Sequence, residues 1–224
     1  MTAPLQIEVV SDVVCPWCFI GKSRLEQALE LRPDIPVEIN WRPYFLNDWV
    51  PREGISRDEY LTKKFGSPER YKSIAGRVAQ AAKAEGLDYQ MDKIARQPNT
   101  LDCHRLILWA GNTGASGKMK QRLMELYFTE GADLTDREVL VQAAADCGMD
   151  AALTRELLAS DRDVDRVTQE AEQAKQAGID GVPCFIFGGV LAVSGAQDPA
   201  YLADAMARAV DEVEKRGSAA TAAE

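Results

Sequence analysis

Two cysteines three residues apart, Cys15 and Cys18, stand in the stretch SDVVCPWCFIGKSRLEQALE at 11–30, between an apolar run and a helical pattern. Such a pair serves as a redox couple, as half of a zinc site, or as two small apolar residues. A cysteine at the first turn of a helix meets unpaired N–H groups and the positive end of the helix dipole, which favour a thiolate. Cys15 has that position. Cys18, one turn on and more covered, is suited to resolve a mixed disulfide formed at Cys15. Pro16 presets the backbone of the first helical residue, and Trp17 offers an apolar wall beside the sulfur. Asp12, a like charge three residues before Cys15, opposes ionisation; it reads as a turn residue ending the strand or as a proton-handling group. Zinc would need two more ligands, and there is no second C-x-x-C and no H-x-x-x-H. The single histidine, His104, adjoins Cys103, but neighbouring helical residues point about 100° apart, which makes joint ligation awkward. It reads as a packed or solvent-edge residue, with a catalytic base as the rival reading, and no metal is expected.

The elements around the pair read in order along the chain. Residues 5–10 are short, β-branched and apolar, a strand running into the cysteine turn. Ile20, Leu25, Ala28 and Leu29 recur at helical spacing until Pro33 stops the run. VEINWRPYF at 37–45 is a second strand, so the first 45 residues make a βαβ unit with a right-handed crossover. C-x-x-C beside such a unit reads as a thioredoxin-like redox motif. From 56 to 177 the alternation vanishes, and amphipathic segments follow at 56–65, 68–85, 99–112, 117–130, 136–147, 150–159 and 163–177. Gly66, Gly86, Gly131 and Gly148 mark ends, Ser67 with Pro68 a start, and Asn99 and Asp136 are expected N-caps. Strands return in GVPCFIF at 181–187 and VLAV at 190–193, joined by Gly188 and Gly189 as a tight hairpin. A helix at 199–216 closes the pattern, and 218–224 is expected to be a disordered tail.

The order β, α, β, helical block, β, β, α predicts an α/β fold: one small mixed sheet completed by both chain ends, with the block inserted. Residues 1–45 and 178–217 form one discontinuous domain in this reading, with a bridging helix from about 163, and 46–177 form the insertion. Val182-Pro183 opens the second group of strands. In a thioredoxin-like site, the residue before a cis-proline presents its backbone to a bound chain, and the context here points to a cis bond.

The 224 residues, 46% hydrophobic and 27% charged, are ordinary for a globular protein. A net charge of -9 with a pI near 4.8 argues against broad binding to nucleic acid or anionic membranes. MTAPLQIEVVSD lacks the features of a secretory signal, and no run approaches the roughly 18 apolar residues of a membrane span. A cytoplasmic location is expected. Five cysteines cannot all pair within one chain, and Cys103 and Cys147 read as buried small hydrophobes.

SDVVCPWCFIGKSRLEQAL, GVPCFIFGG and VSGAQ resemble the DsbA-like thioredoxin-fold family, in particular its FrnE-like cytosolic branch. LYFTEGADLTDREVL at 126–140, followed by ADCGMD, is similar to that branch as well. The resemblance implies a thioredoxin-like fold with a large all-helical insertion and thiol–disulfide exchange. It matches Cys15 to the attacking cysteine, Cys18 to the resolving one and Pro183 to the cis-proline. Pro16, Trp17, Val182 and Pro183 would then meet the substrate, a thiol- or disulfide-containing protein or small molecule. No cofactor is implied beyond the redox-active pair, with glutathione as a co-substrate. Related glutathione-dependent isomerases and transferases generally carry serine where Cys15 stands; that activity and a chaperone-like binding module are the rival readings. Cys184, just after the proline, departs from the family pattern. Strand alternation would turn it into the core away from Cys15; the other reading is a third thiol that traps or relays the disulfide.

Overall fold

The structure, a computed structural model, describes residues 3–221. The sheet uses β1 (Leu5–Ser11), β2 (Val37–Pro43), β5 (Cys184–Phe187) and β6 (Leu191–Ser194) in the order β2-β1-β5-β6. β1 is central, parallel to β2 and antiparallel to β5, which pairs antiparallel with β6. The hairpin joining the last two turns through Gly188 and Gly189, whose φ values of 59° and 66° lie where a side chain is rarely accommodated. Between β2 and β5 the chain forms α2 (Arg57–Phe65), α3 (Pro68–Ala84), α4 (Leu101–Gly111), α5 (Ser116–Glu125), α6 (Arg137–Asp146), α7 (Ala151–Ala159) and α8 (Val164–Gln176). The two-residue strands β3 (Ile55–Ser56) and β4 (Arg96–Gln97) pair within this block. Such short strands carry no periodicity and were not legible in the sequence.

Three boundaries differ from expectation. The segment expected as one helix at 117–130 ends as a π-helical turn at Leu126–Glu130. Thr100, not Asn99, occupies the N-cap of α4; Asn99 lies one residue earlier and its Oδ1 accepts from the Leu101 N–H at 3.0 Å. α9 (Pro199–Thr221) continues past Arg216, so the tail expected to be disordered lies partly within the helix; 222–224 fall outside the described residues.

The sheet register sorts side chains onto two faces. Ile7, Val9, Phe185, Phe187 and Val193 pack with Leu25 and Ala28 of α1 (Pro16–Leu31) and with Leu202, Met206 and Ala209 of α9. On the other face, Val10 pairs in register with Cys184, and the two cluster with Tyr44 and with Ala174 of α8. The last helix of the block is thus a layer of the sheet's own core. The largest apolar cluster joins Val13, Val14, Cys15, Cys18 and Phe19 to buried residues of α4, α5, α6 and α7. Phe19 stacks on Phe128 of the π-helical turn, with ring centroids 5.4 Å apart.

Arg105 holds the block in shape. Its side chain is fully buried, and its guanidinium donates to the carbonyls of Leu157, Ser160 and Arg162 and to Asp102 Oδ1 at 2.7–2.8 Å. The α7–α8 connection is thereby tied to α4, which carries Cys103 and His104. Arg105→Met orphans those acceptors and should lower unfolding stability by roughly 3 kcal/mol or more. Urea denaturation monitored by far-ultraviolet circular dichroism measures this, and an unchanged midpoint would discount the clamp.

Candidate functional site

Cys15 is the N-cap of α1, with φ -89° and ψ 113°, and Pro16 follows within the first turn. Proline loses nothing there, because its absent N–H would have had no helical partner. Cys15 and Cys18 are both free thiols, and Cys15 is only 3% exposed. The Cys15 Sγ donates to the Val182 carbonyl at 3.5 Å. The Val182–Pro183 bond is cis, and the Pro183 carbonyl accepts from the Gly195 N–H at 2.8 Å, so only the Val182 carbonyl turns to the thiol.

The two thiols differ sharply. Cys15 is held below the usual 9.0 first by the hydrogen bond from Cys18 and then by the N–H groups of Cys18 and Trp17; burial and the Asp12 charge oppose this. Cys18 lies well above that value because of burial, its donation to Cys15 and the negative charge there. The arrangement favours one thiolate with a protonated neighbour bonded to it.

Beneath the pair lies a buried charged group. Asp12 is inaccessible; its Oδ2 accepts from the Leu46 N–H at 2.9 Å, and His104 Nε2 lies 3.3 Å from Oδ1. Burial raises the Asp12 carboxyl, but hydrogen bonds from His104 and Leu46, together with nearby positive charge, hold it below 3.8. Burial keeps His104 below 6.5 despite Asp12. At neutral pH Asp12 is therefore the ionised partner, which makes His104 Nε2–H the donor. Asp12 is more than a turn residue, for it ties the 44–50 loop to the cysteine turn. His104 is packed, as the sequence indicated, with Phe45 edge-on at 5.8 Å.

Of the residues singled out in the sequence, Cys15, Cys18, Val182 and Pro183 come together. Pro16 is half-buried. Trp17 differs from the expected wall: its side chain stands at the rim, with the residue 39% exposed. Cys184 packs on the opposite sheet face, and Cys103 is fully buried, its thiol raised chiefly by burial. Two residues escaped the sequence reading. Gly21 lies where an added Cβ would come within 2.8 Å of Pro183 Cγ, so only glycine lets α1 approach the proline this closely. Lys120, 1% exposed, is faced by Cys18, Asp12, Cys15 and Cys103. A signal for it existed: it interrupts the apolar stripe formed by Met119, Leu123 and Tyr127.

Two measurements check these electrostatics. Absorbance at 240 nm should show Cys15 ionising below 9.0, and Cys18→Ala should move that titration upward by removing the main donor; an unmoved curve would refute the hydrogen bond. His104 binds protons less readily folded than unfolded, so stability is level above pH 6.5 and falls as pH drops through that value. Asp12, also lowered, acts in the same direction at lower pH, contributing stability above 3.8 that is lost in stronger acid. His104→Gln should flatten the urea midpoint between about pH 6.5 and 4; an unchanged slope would assign the acid sensitivity elsewhere.

A DSBA-like thioredoxin domain is matched over residues 6–207. The crystal structure of a probable DsbA oxidoreductase from Streptomyces coelicolor superposes with a TM-score of 0.84 at 31% identity, covering 93% of this chain and 91% of that one. The cytosolic disulfide reductase DsbM from Pseudomonas aeruginosa, solved with glutathione, has the same fold at 14% identity and a TM-score of 0.61, covering 94% and 98%. An uncharacterised Bacillus subtilis protein, YwbO, is 25% identical over 185 residues, 82% of this chain and 87% of its own length. Among the described residues, no helix is long and apolar enough to cross a membrane, and no cluster of three or more His, Cys, Asp or Glu could hold a metal ion. The matched span takes in both arms of the sheet and the whole inserted block, and so this chain, an α/β thioredoxin-like fold with a large insertion that is helical but for the β3–β4 pair, belongs to the DsbA-like thioredoxin family of thiol–disulfide oxidoreductases.

Proposed function

We propose that the protein exchanges disulfides through a mixed disulfide at Cys15. The observation supporting this is the opposed ionisation of the two thiols, with Cys15 lowered and Cys18 raised. Cys15 thiolate attacks one sulfur of a substrate disulfide, a Cys15–substrate S–S bond forms, and the other substrate sulfur leaves as a thiolate. Cys18 then loses its proton and attacks the Cys15 sulfur, releasing the second substrate thiol. The pair is oxidised by two electrons and the substrate disulfide is reduced; with a substrate dithiol the same steps run backwards. Ionisation removes the proton that Cys15 donates to Val182, leaving that carbonyl to face the incoming chain. Pro16, Trp17, Val182 and Pro183 form the contact surface in this reading.

The substrate class is thiol- or disulfide-containing proteins or small molecules. Glutathione is a candidate co-substrate, supported by the glutathione-bound neighbour of the same fold. The sequence features of the FrnE-like branch support placement there and a cytoplasmic location. The same reading takes 1–45 and 178–217 as the thioredoxin-like domain and 46–177 as its insertion. Cysteine at both positions favours this chemistry over a serine-dependent glutathione isomerase or transferase.

Cys18→Ser should arrest exchange at the first step and accumulate covalent adducts on Cys15, resolved by mass spectrometry and lost on reduction. Cys15→Ser should lower turnover of a small disulfide by at least a hundredfold. Exchange that survives Cys15→Ser at the wild-type rate would overturn the assignment.

A further inference from the structure

We propose that the protein has a second binding site, one for a carboxylate, at the guanidinium of Arg57 on the first turn of α2. Arg57 lines a cavity of about 440 Å³ between α2, α3 and the 91–95 segment, and neither Cys15 nor Cys18 lines it. Its Nη1 donates to Gln97 Oε1 at 3.2 Å and to the Tyr127 hydroxyl at 3.4 Å, and its Nη2 to the Tyr71 hydroxyl at 3.2 Å. The rings of Tyr60 and Tyr71 each lie 5.1 Å from the centre of the guanidinium. None of these partners is a carboxylate, and among the described residues no carboxylate oxygen comes within 4.0 Å of Arg57.

That sets Arg57 apart from the rest of its kind. The other arginines without a carboxylate partner among the described residues, Arg70, Arg77 and Arg137, are exposed to water, whereas Arg57 is partly buried. Arginines that leave water elsewhere have an anion, as Arg105 has Asp102 at 2.7 Å and Arg24 has Glu85 at 2.6 Å. A cation withdrawn from water without one is costly, and ring faces and uncharged acceptors offset that only in part. Burial lifts the Tyr60 and Tyr127 phenols above 10.0, so both stay protonated and neither answers the charge.

The hydrogens still unclaimed indicate which anion fits. Nη1 has given both of its hydrogens and Nη2 one, which leaves the Nε–H and the second hydrogen of Nη2. These two nitrogens form one edge of the guanidinium fork, and such an edge holds a carboxylate by two parallel hydrogen bonds. Leu61, Pro68, Met91 and Ile94 give the cavity an apolar wall, with Lys72, Asp58 and Asp92 as its exposed charges. The matching ligand therefore carries one carboxylate on a compact apolar body of peptide size. That carboxylate belongs to a chain end or to an acidic side chain.

Calorimetric titration of wild-type protein with acetyl-Ala-Leu and with its amide tests the site, and because neither probe contains sulfur the result is independent of exchange at Cys15. The free carboxylate should bind about tenfold more tightly than the amide, and added salt should narrow the difference. Acetyl-Ala-Glu amide, whose carboxylate is on a side chain, separates the two sources: binding weaker than that of acetyl-Ala-Leu assigns the site to chain ends, and binding as tight or tighter assigns it to acidic side chains. Arg57→Lys keeps the charge and loses the two-point grip, so it should weaken the carboxylate probe about fivefold while leaving the amide within about twofold. The Arg57 Nε–H resonance of wild-type protein, assigned by its loss in Arg57→Lys, should move on adding acetyl-Ala-Leu and stay in place with the amide. Equal affinities for the two forms, an unmoved Arg57 resonance, or no saturable binding of either probe would overturn the proposal.

Discussion

A negative charge on a sulfur that water barely reaches must be stabilised by the protein's own dipoles, and the site is organised around that requirement. Cys15 sits at the one end of a helix where backbone N–H groups are unpaired, and Cys18 adds a side-chain donor from one turn on. Burial strengthens each of these interactions because little solvent competes for them. It also raises the cost of every misplaced charge nearby. Asp12 shows both effects: it opposes the thiolate, yet its own charge is held by Leu46 and His104, so it remains in place as an anchor for the loop after β2.

The helical block is part of this arrangement. Its core is continuous with the cysteine turn, Phe128 stacks on Phe19, and α4 and α5 bring His104 and Lys120 beneath the thiols. Its last helix, α8, meanwhile covers the sheet face opposite α1 and α9. A block packed this way contributes Lys120 to the charges that the two sulfurs feel. Changes within it are felt at the thiols even where no substrate is touched.

Close approach is the second constraint. Gly21 removes the side chain that would otherwise separate α1 from Pro183, and this brings the Val182 carbonyl within reach of the Cys15 thiol. The Cys15 sulfur, the helix end and the proline therefore meet because one residue in α1 is small. Trp17, by contrast, is exposed to water.

Local order was legible in the sequence because local rules produce it. Apolar periodicity, proline and glycine punctuation and the CPWC spacing mark the central strand, the helix after it, the seven helices of the block and the hairpin, each close to its observed limits. The same rules place Cys15 at a helix start. The π-helical turn, the two-residue β3–β4 ladder and the extension of α9 depend on partners far along the chain, and no window of sequence records them. Likewise, Asp12 and His104 are 92 residues apart and look like a turn residue and a packed histidine until folding joins them. Lys120 marks itself in the sequence only by interrupting an apolar stripe; that it is buried is settled when α5 packs, because burial belongs to the folded surface and not to the residue. The sequence by itself determined that two cysteines stand three apart at a helix start, and on what local scaffold; only the tertiary structure decided which buried charges surround them, since that depends on which distant segments share one water-poor volume.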